Sequence, residues 1–250
     1  MTGAPDYGDR ARLGVIVPSG NYVAEPEIHA MLPAGVAALV TRLPLTGSSD
    51  AQLRAMTEAL EPATRLLADA KPDLIGFHCT AVSTFAPESA EGIRQRIETA
   101  AGLPAYATAD GILAALAVLG AKRVVLVTPY IAAVHEREIA FLASHGIAVV
   151  GGEHWDLNTN AEMGRVPSAD ILARTKASVA AARGADAVFV SCTAIRSGAV
   201  ISALEGACGL PVITSNQVFA WHGLRLLGMP DRVAGYGHLF TLPGPARAAA

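Results

Sequence analysis

Two of the three cysteines stand in nearly the same surroundings: Cys79 in GFHCTAVSTF, residues 76 to 85, and Cys192 in FVSCTAIRSG, residues 189 to 198. Each ends a short apolar run and opens a Thr-Ala pair. A cysteine placed after a strand and at the start of a helix meets unpaired N–H groups and the positive end of the helix dipole, a setting that favours an anion. The expectation is a thiol pKa lowered from about 8.5 toward neutrality. A thiolate so placed acts as base or nucleophile, and a second, protonated thiol opposite acts as acid. Two like groups in one cleft titrate as a coupled pair, with only one ionised at a time. That pair suits moving a proton from one face of a carbon to the other, or adding a thiol to a polarised double bond and then eliminating it. A lone cysteine is most often a buried structural residue, and Cys208 in GACGLPV is read that way. Duplication alone would not require thiols at both strand ends, where Ala or Ser would fit.

The residues around the thiols suit an anionic substrate. PSGN, residues 18 to 21, follows the first apolar run, so that Pro18, Ser19, Gly20 and Asn21 offer backbone and amide donors. Thr80 with Ala81, and Thr193 with Ala194, bring further N–H groups and two hydroxyls, and Tyr130 ends the run equivalent to the one before PSGN. A neutral cradle of this kind can bind a small dicarboxylate. His78 precedes Cys79, but neighbours on a strand point to opposite faces, so a packed or solvated histidine is expected rather than a base. HEREI from His135 is not HExxH, and no Cys/His cluster has zinc spacing, so no metal is expected. Neither GxGxxG nor GxxxxGK[ST] occurs where a nucleotide would need it, so no cofactor is expected either. Asn158 and Asn160, in LNTNAEM, read as turn or cap residues.

The elements that must hold these residues also come in duplicate. AGLPAYATADGILAALAVLGAKRVVLVTP from Ala101 matches CGLPVITSNQVFAWHGLRLLGMPDRVAGYG from Cys208 in its Leu-Pro start, helical middle and Leu-Gly end. LGVIVPSGN pairs more loosely with VVLVTPYIA. Each half reads as a strand ending in Pro, a helix, a strand ending in Cys-Thr-Ala, a helix, Leu-Pro and a third strand. The runs GVIVP, DLIGF, VVLVTP, DAVFV and PVIT are β-branched without strict alternation, as strands covered on both faces should be. DAQLRAMTEALEPATRLLADA and SADILARTKASVAAARGA have helical period, the second with Ser168 or Asp170 as N-cap. The expected architecture is α/β: two pseudo-symmetric, doubly wound, parallel-sheet domains of Rossmann-like type facing across a central cleft. One comprises residues 1–108 plus 216–250 and the other 109–215. Ligands in open parallel sheets bind outside the carboxyl ends of the strands, where both Cys-Thr-Ala turns fall. The motif is doubled because each half supplies one wall.

Composition narrows the class. The 250 residues are 52% hydrophobic but only 5% aromatic, which fits buried strands and Ala-rich helices. No apolar run reaches the roughly 18 residues of a bilayer span, and MTGAPDYGDRAR, with acidic residues and no hydrophobic block, does not read as a signal peptide, so no membrane partner and a cytoplasmic location are expected. A net charge of −3 without a basic cluster speaks against nucleic acid. With no CxxC pair, free thiols are expected. The tail PGPARAAA lacks periodicity and is expected to fray.

From about Leu13 to Gly228 the chain resembles the Asp/Glu racemase superfamily, and within it the maleate cis-trans isomerase branch, which is also similar to arylmalonate decarboxylase. GVIVPSGN, FHCTAVS, VTPYI, NAEMGR, FVSCTAIRSG and PVITSNQVFAWHGLRLLG carry the likeness. The resemblance implies Cys79 as the nucleophile that adds to one alkene carbon of maleate and Cys192 as the donor of a proton to the other. It further implies a succinyl-thioether intermediate, no cofactor, and Asn21, Tyr130 and Asn160 as holders of the carboxylates. PSGN and TAVS depart from that branch at the wall near Cys79. Besides a dicarboxylate isomerase, the residues admit an amino-acid or hydantoin racemase or arylmalonate-type decarboxylase working through the same thiols. They also admit a non-catalytic carboxylate-binding module. A homodimer or larger homo-oligomer is expected. The loop with PSGN and residues 158–165 are expected to be mobile and to order with ligand.

Overall fold

The computed structural model describes residues 5–47 and 49–244, so most of the PGPARAAA tail lies outside the described residues. The first half runs β1 (Ala11–Pro18), α1 (Ala24–Met31), β2 (Val36–Leu43), α2 (Asp50–Ala55), α3 (Leu60–Ala68), β3 (Leu74–Phe77), α4 (Thr80–Ser83), α5 (Ser89–Ala101) and β4 (Ala105–Ala107). Helix α6 (Thr108–Val118) leads into β5 (Arg123–Thr128), α7 (Ala132–Ser144), β6 (Ala148–His154), α8 (Asn160–Met163) and α9 (Ser168–Ala181). Then follow β7 (Ala187–Val190), α10 (Ile201–Cys208), β8 (Val212–Thr214) and α11 (Ser215–Leu226). No helix among the described residues is long and apolar enough to cross a membrane.

The strands form two four-stranded parallel sheets, ordered β2-β1-β3-β4 and β6-β5-β7-β8. In each, the chain moves outward from the first strand to the second and returns to pair the third on the other side, so the direction of winding switches between β1 and β3 and between β5 and β7. A crevice opens at such a switch point. The loops that leave these four strands carry PSGN, Cys79, Tyr130 and Cys192.

Three strands per half were expected, and four are present. The additional ones, β2 and β6, lie at sheet edges and are mostly half-buried, so VAALVTRL and AVVGGEH lack the continuous apolar signature of the inner strands. DAQLRAMTEALEPATRLLADA is not one helix either: a 3₁₀ turn over Met56–Ala59 separates α2 from α3. Ser168 is the first residue of α9 and Asp170 lies in its first turn; Pro167 takes the cap position, with no side-chain bond.

Helix α11 comes from the end of the second sheet yet packs on α1, α6 and β3. Ser215 through Leu224 are all buried, as expected for a helix surrounded on every side. Phe219 stacks on Tyr106 with ring centroids 4.7 Å apart and sits 4.0 Å from the His78 ring. Gly76 of β3 makes this possible, because a Cβ there would stand 2.3 Å from the Phe219 ring. Gly76→Ala is therefore expected to destabilise the protein by about 1–3 kcal/mol through overpacking. An unchanged urea midpoint would show that the ring can move aside.

Candidate active site

Both cysteines are free and almost completely covered, Cys79 to 5% exposure and Cys192 to 3%. Cys79 occupies the N-cap position of α4 with extended backbone and no side-chain capping bond, and the N–H groups of Val82 and Ala81 lie toward its sulfur. Cys192 follows β7 in a tight turn with φ of 105°, a region that side chains other than Gly enter rarely and at a cost. Its sulfur accepts from the Ala194 N–H at 3.2 Å, lies 3.7 Å from the Met163 sulfur, and has the Tyr130 hydroxyl near it. The charge of each thiol is felt at Tyr130, which is itself buried.

The lowered thiol pKa expected from the sequence is not what this arrangement produces. Burial pushes both thiols up, more than their backbone N–H groups bring them down. Charge at Cys192 raises Cys79 further, and Glu138 does the same to Cys192. The dipole contribution is small because α4 has four residues, while a turn rather than a helix follows Cys192, α10 starting only at Ile201. Burial likewise holds the Tyr130 hydroxyl well above its usual value, so it serves as a donor.

Hydrogen bonds tie the two walls together. The Asn21 amide donates to Thr193 Oγ1 at 3.0 Å, while its Oδ1 accepts from Val23 and Ala24 at the start of α1. Thr80 Oγ1 donates to Ser215 Oγ at 2.8 Å, and the same Ser215 oxygen accepts the Cys192 N–H at 3.0 Å. Ser215 thus links the turn after β3 to the turn after β7. Sequence reading did not single out Ser215. The internal repeat could have done so, because it aligns ATAD with TSNQ, and Thr108 at the start of α6 likewise bonds the end of β3, at His78 Nδ1, 3.0 Å.

Asn160 is buried and Asn158 exposed. The Asn160 amide donates to Leu45 O at 3.3 Å and stands 3.2 Å from where a Cβ on Gly20 would be, so it faces the PSGN loop. Thr159, rather than either asparagine, caps α8, in a reciprocal box with Glu162. Ser19 is exposed, with its hydroxyl accepting from Leu45 N at 3.1 Å, and Pro18 ends β1. Both take part in the bonds that hold the loop, Pro18 O accepting from Asn21 N at 3.1 Å. Ala81 and Ala194 contribute backbone N–H groups. His78 is fully buried and held neutral by desolvation, its pKa lowered to about 3, and it packs behind Cys79.

Residues from both halves meet beside the PSGN loop. Gly47 pairs with Thr159, Asn160 N donates to Thr46 O at 3.2 Å, and Gly164 lies so close to the Tyr22 ring that a Cβ would overlap it. Arg137 of α7 pairs with Asp50 of α2 at 2.7 Å and stacks over Phe85. A cavity of about 460 Å³, walled by Leu53, Val82, Phe85 and Ile93, opens behind α4 and does not reach the sulfurs. Among the described residues, no group of three or more His, Cys, Asp or Glu is placed to hold a metal ion.

The profile of the arylmalonate decarboxylase family matches residues 13–240. The chain belongs to that family. Within it, the chain is 29% identical over 243 residues to the maleate isomerase of Nocardia farcinica, covering 91% of this chain and 94% of that one. The arylmalonate decarboxylase of Bordetella bronchiseptica is 32% identical over 142 residues, 56% of this chain and 59% of the relative. Among solved structures, a mutant of the Nocardia farcinica maleate cis-trans isomerase with a covalently bound succinylcysteine intermediate superposes with a TM-score of 0.86. It is 25% identical, over 92% of this chain and 98% of that one. The relatives of this chain thus include isomerases and decarboxylases.

Proposed function

We propose that the protein is a cofactor-independent cis-trans isomerase of a small unsaturated dicarboxylate, converting maleate to fumarate through a thioether on Cys79. The observation that carries this reading is the pair of covered thiols at equivalent strand ends, each met by backbone N–H groups and both felt at Tyr130. The similarity to an isomerase that forms succinylcysteine supports it.

In the proposed reaction the Cys79 thiolate forms a carbon–sulfur bond to one alkene carbon, steadied until then by the Ala81 and Val82 N–H groups. The π electrons move to the other carbon, which takes the proton of Cys192. That leaves a Cys192 thiolate facing the Ala194 N–H and the Tyr130 hydroxyl. The former double bond is now single and rotates. Cys192 then removes a proton, the carbon–sulfur bond breaks, and the trans acid leaves with Cys79 again a thiolate. Asn21, Tyr130 and Asn160 hold the carboxylates, with Thr80, Thr193 and the Pro18–Ser19 loop completing the cradle. Closure by the 45–47 and 158–164 segments keeps water from the intermediate. The proposed division gives one wall to residues 1–108 with 216–250 and the other to 109–215; the seat of α11 on β3 supports its return to the first half, while α6 packs on α4, α5, β4 and α11.

Maleate incubated with the protein in deuterated buffer, without added cofactor, should lose its vinyl signal to that of fumarate. Unchanged maleate together with carbon dioxide release from an arylmalonate would replace this reading with decarboxylation, which the Bordetella bronchiseptica relative favours. Asn21→Asp keeps the oxygen that caps α1 but sets a negative charge beside an anionic substrate. It should raise KM at least about tenfold while the melting temperature stays close to that of the parent. An unaltered KM would remove Asn21 from the cradle.

A further inference from the structure

One carboxyl beneath the site has no part in the reaction just described. Glu138 lies on α7, 1% exposed, and its Oε1 accepts from Ser191 Oγ at 2.7 Å, while its Oε2 is buried without a hydrogen-bond partner. Ser191 immediately precedes Cys192 and is anchored from below by its own N–H to Val127 O at 2.8 Å. The turn with φ of 105° is thus clamped on one side by Ser191 and on the other by Ser215, which accepts the Cys192 N–H.

The corresponding position in the first half is His78, and here the duplication is broken. His78 is fixed by Thr108 at 3.0 Å and by Asn216 Oδ1 at 2.7 Å, both uncharged. The carboxyl on that side, Glu27, is one residue further off, bonded to the Asn216 amide at 2.7 Å and to Gly198 N. The two thiols therefore have different groups behind them.

The groups that face Glu138 are few. From the loops after β5 and β7 come Tyr130 and Cys192, both of which feel its charge. On its own helix His135 bonds Thr128 of β5 at 3.0 Å, with the His154 ring of β6 5.3 Å beyond, and Arg137 is turned to Asp50. Burial raises the Glu138 carboxyl to about 7, so it carries charge in the alkaline range where thiols ionise.

We propose that Glu138 is the positioning residue that makes the two thiols unequal: through Ser191 it fixes the Cys192 turn, and its negative charge keeps Cys192 in the proton-donating form while Cys79 ionises. A like charge nearby disfavours a second one, and at Cys192 it works against the Ala194 N–H and the Tyr130 hydroxyl, which favour the thiolate; a coupled pair of thiols gives up its first proton from the member with the less anionic surroundings. After Cys192 has delivered its proton, the same repulsion favours its reprotonation and hence elimination. The use made of the asymmetry rests on the two-thiol isomerase reading; the asymmetry itself does not.

The test uses single-thiol proteins. With Cys208→Ser throughout, Cys79→Ser leaves only Cys192, and Cys192→Ser leaves only Cys79; each is made with Glu138 and with Glu138→Gln. Thiolate ultraviolet absorbance is followed against pH, which needs no reagent to enter the closed site. With Glu138 present, Cys192 should ionise at higher pH than Cys79. Glu138→Gln keeps an oxygen for Ser191 and should increase the Cys192 thiolate at a given alkaline pH by roughly three- to tenfold, leaving Cys79 unmoved. Equal midpoints for the two thiols with Glu138 present, or equal shifts of both in Glu138→Gln, would overturn the proposal. Equal midpoints in the first comparison overturn the proposal even if Glu138→Gln does not fold, and Glu138→Met, a neutral side chain of similar length, then takes its place in the second. Failure to turn over maleate alongside unequal midpoints would remove the isomerase reading and leave this one standing.

Discussion

Cys79→Ala and Cys192→Ala should each lower conversion of maleate to fumarate by at least about a thousandfold, with melting temperatures close to that of the parent. The two losses have different causes. Without Cys79 no carbon–sulfur bond forms, so maleate stays intact and unattached. Without the Cys192 proton the adduct cannot be completed or released in the normal way. Cys192→Ser, which leaves a hydroxyl much less acidic than a thiol, should therefore accumulate chains carrying one added maleate on the Cys79 peptide. Intact-mass measurement followed by peptide mapping reads this directly. Full activity in either alanine variant would end the two-thiol reading, and an adduct mapped to Cys192 would exchange the roles.

The second large effect is on pH dependence. Since burial raises both thiols, the reactive thiolate is a minor species at neutral pH, and its share grows about tenfold for each pH unit until the midpoint is approached. kcat/KM for maleate should rise by about two orders of magnitude between about pH 7 and about pH 9. The sign follows from direction alone: a thiol pushed up loses its proton later, so activity is gained as pH rises and lost as it falls. A lowered thiol, as the sequence suggested, would give a profile already flat at neutrality. Initial rates over this range, at substrate concentrations well below KM, separate the two.

That contrast shows where sequence reading succeeds and where it fails. The inner strands were legible because residues buried on both faces must be apolar throughout, and DLIGF and DAVFV meet that condition without ambiguity. The thiols were legible because the repeat returned the same three residues to the same strand end. Edge strands such as AVVGGEH were not, since only part of their surface is covered and glycine is tolerated there. Thiol acidity depends on how much water and helix dipole surround the sulfur, and neither the length of α4 nor the coverage of Cys192 is written in Cys-Thr-Ala. Ser215 and Glu138 were missed for a related reason. Their roles come from partners far away in the chain, Thr80 and Cys192 for one and Ser191 for the other.

The seat of α11 has a consequence for biosynthesis. Tyr106 and Gly76 present their faces to Phe219, which leaves the ribosome only after the entire second sheet has been made. At elongation rates of about 5–20 residues per second, the stretch from Tyr106 to Ser215 takes on the order of 5 to 20 seconds to emerge. During that interval the nascent first sheet has an apolar face without its helix. The order of translation thus makes the first half the last to be completed, and a ribosome that stalls after β8 releases a chain whose earlier half remains unfinished.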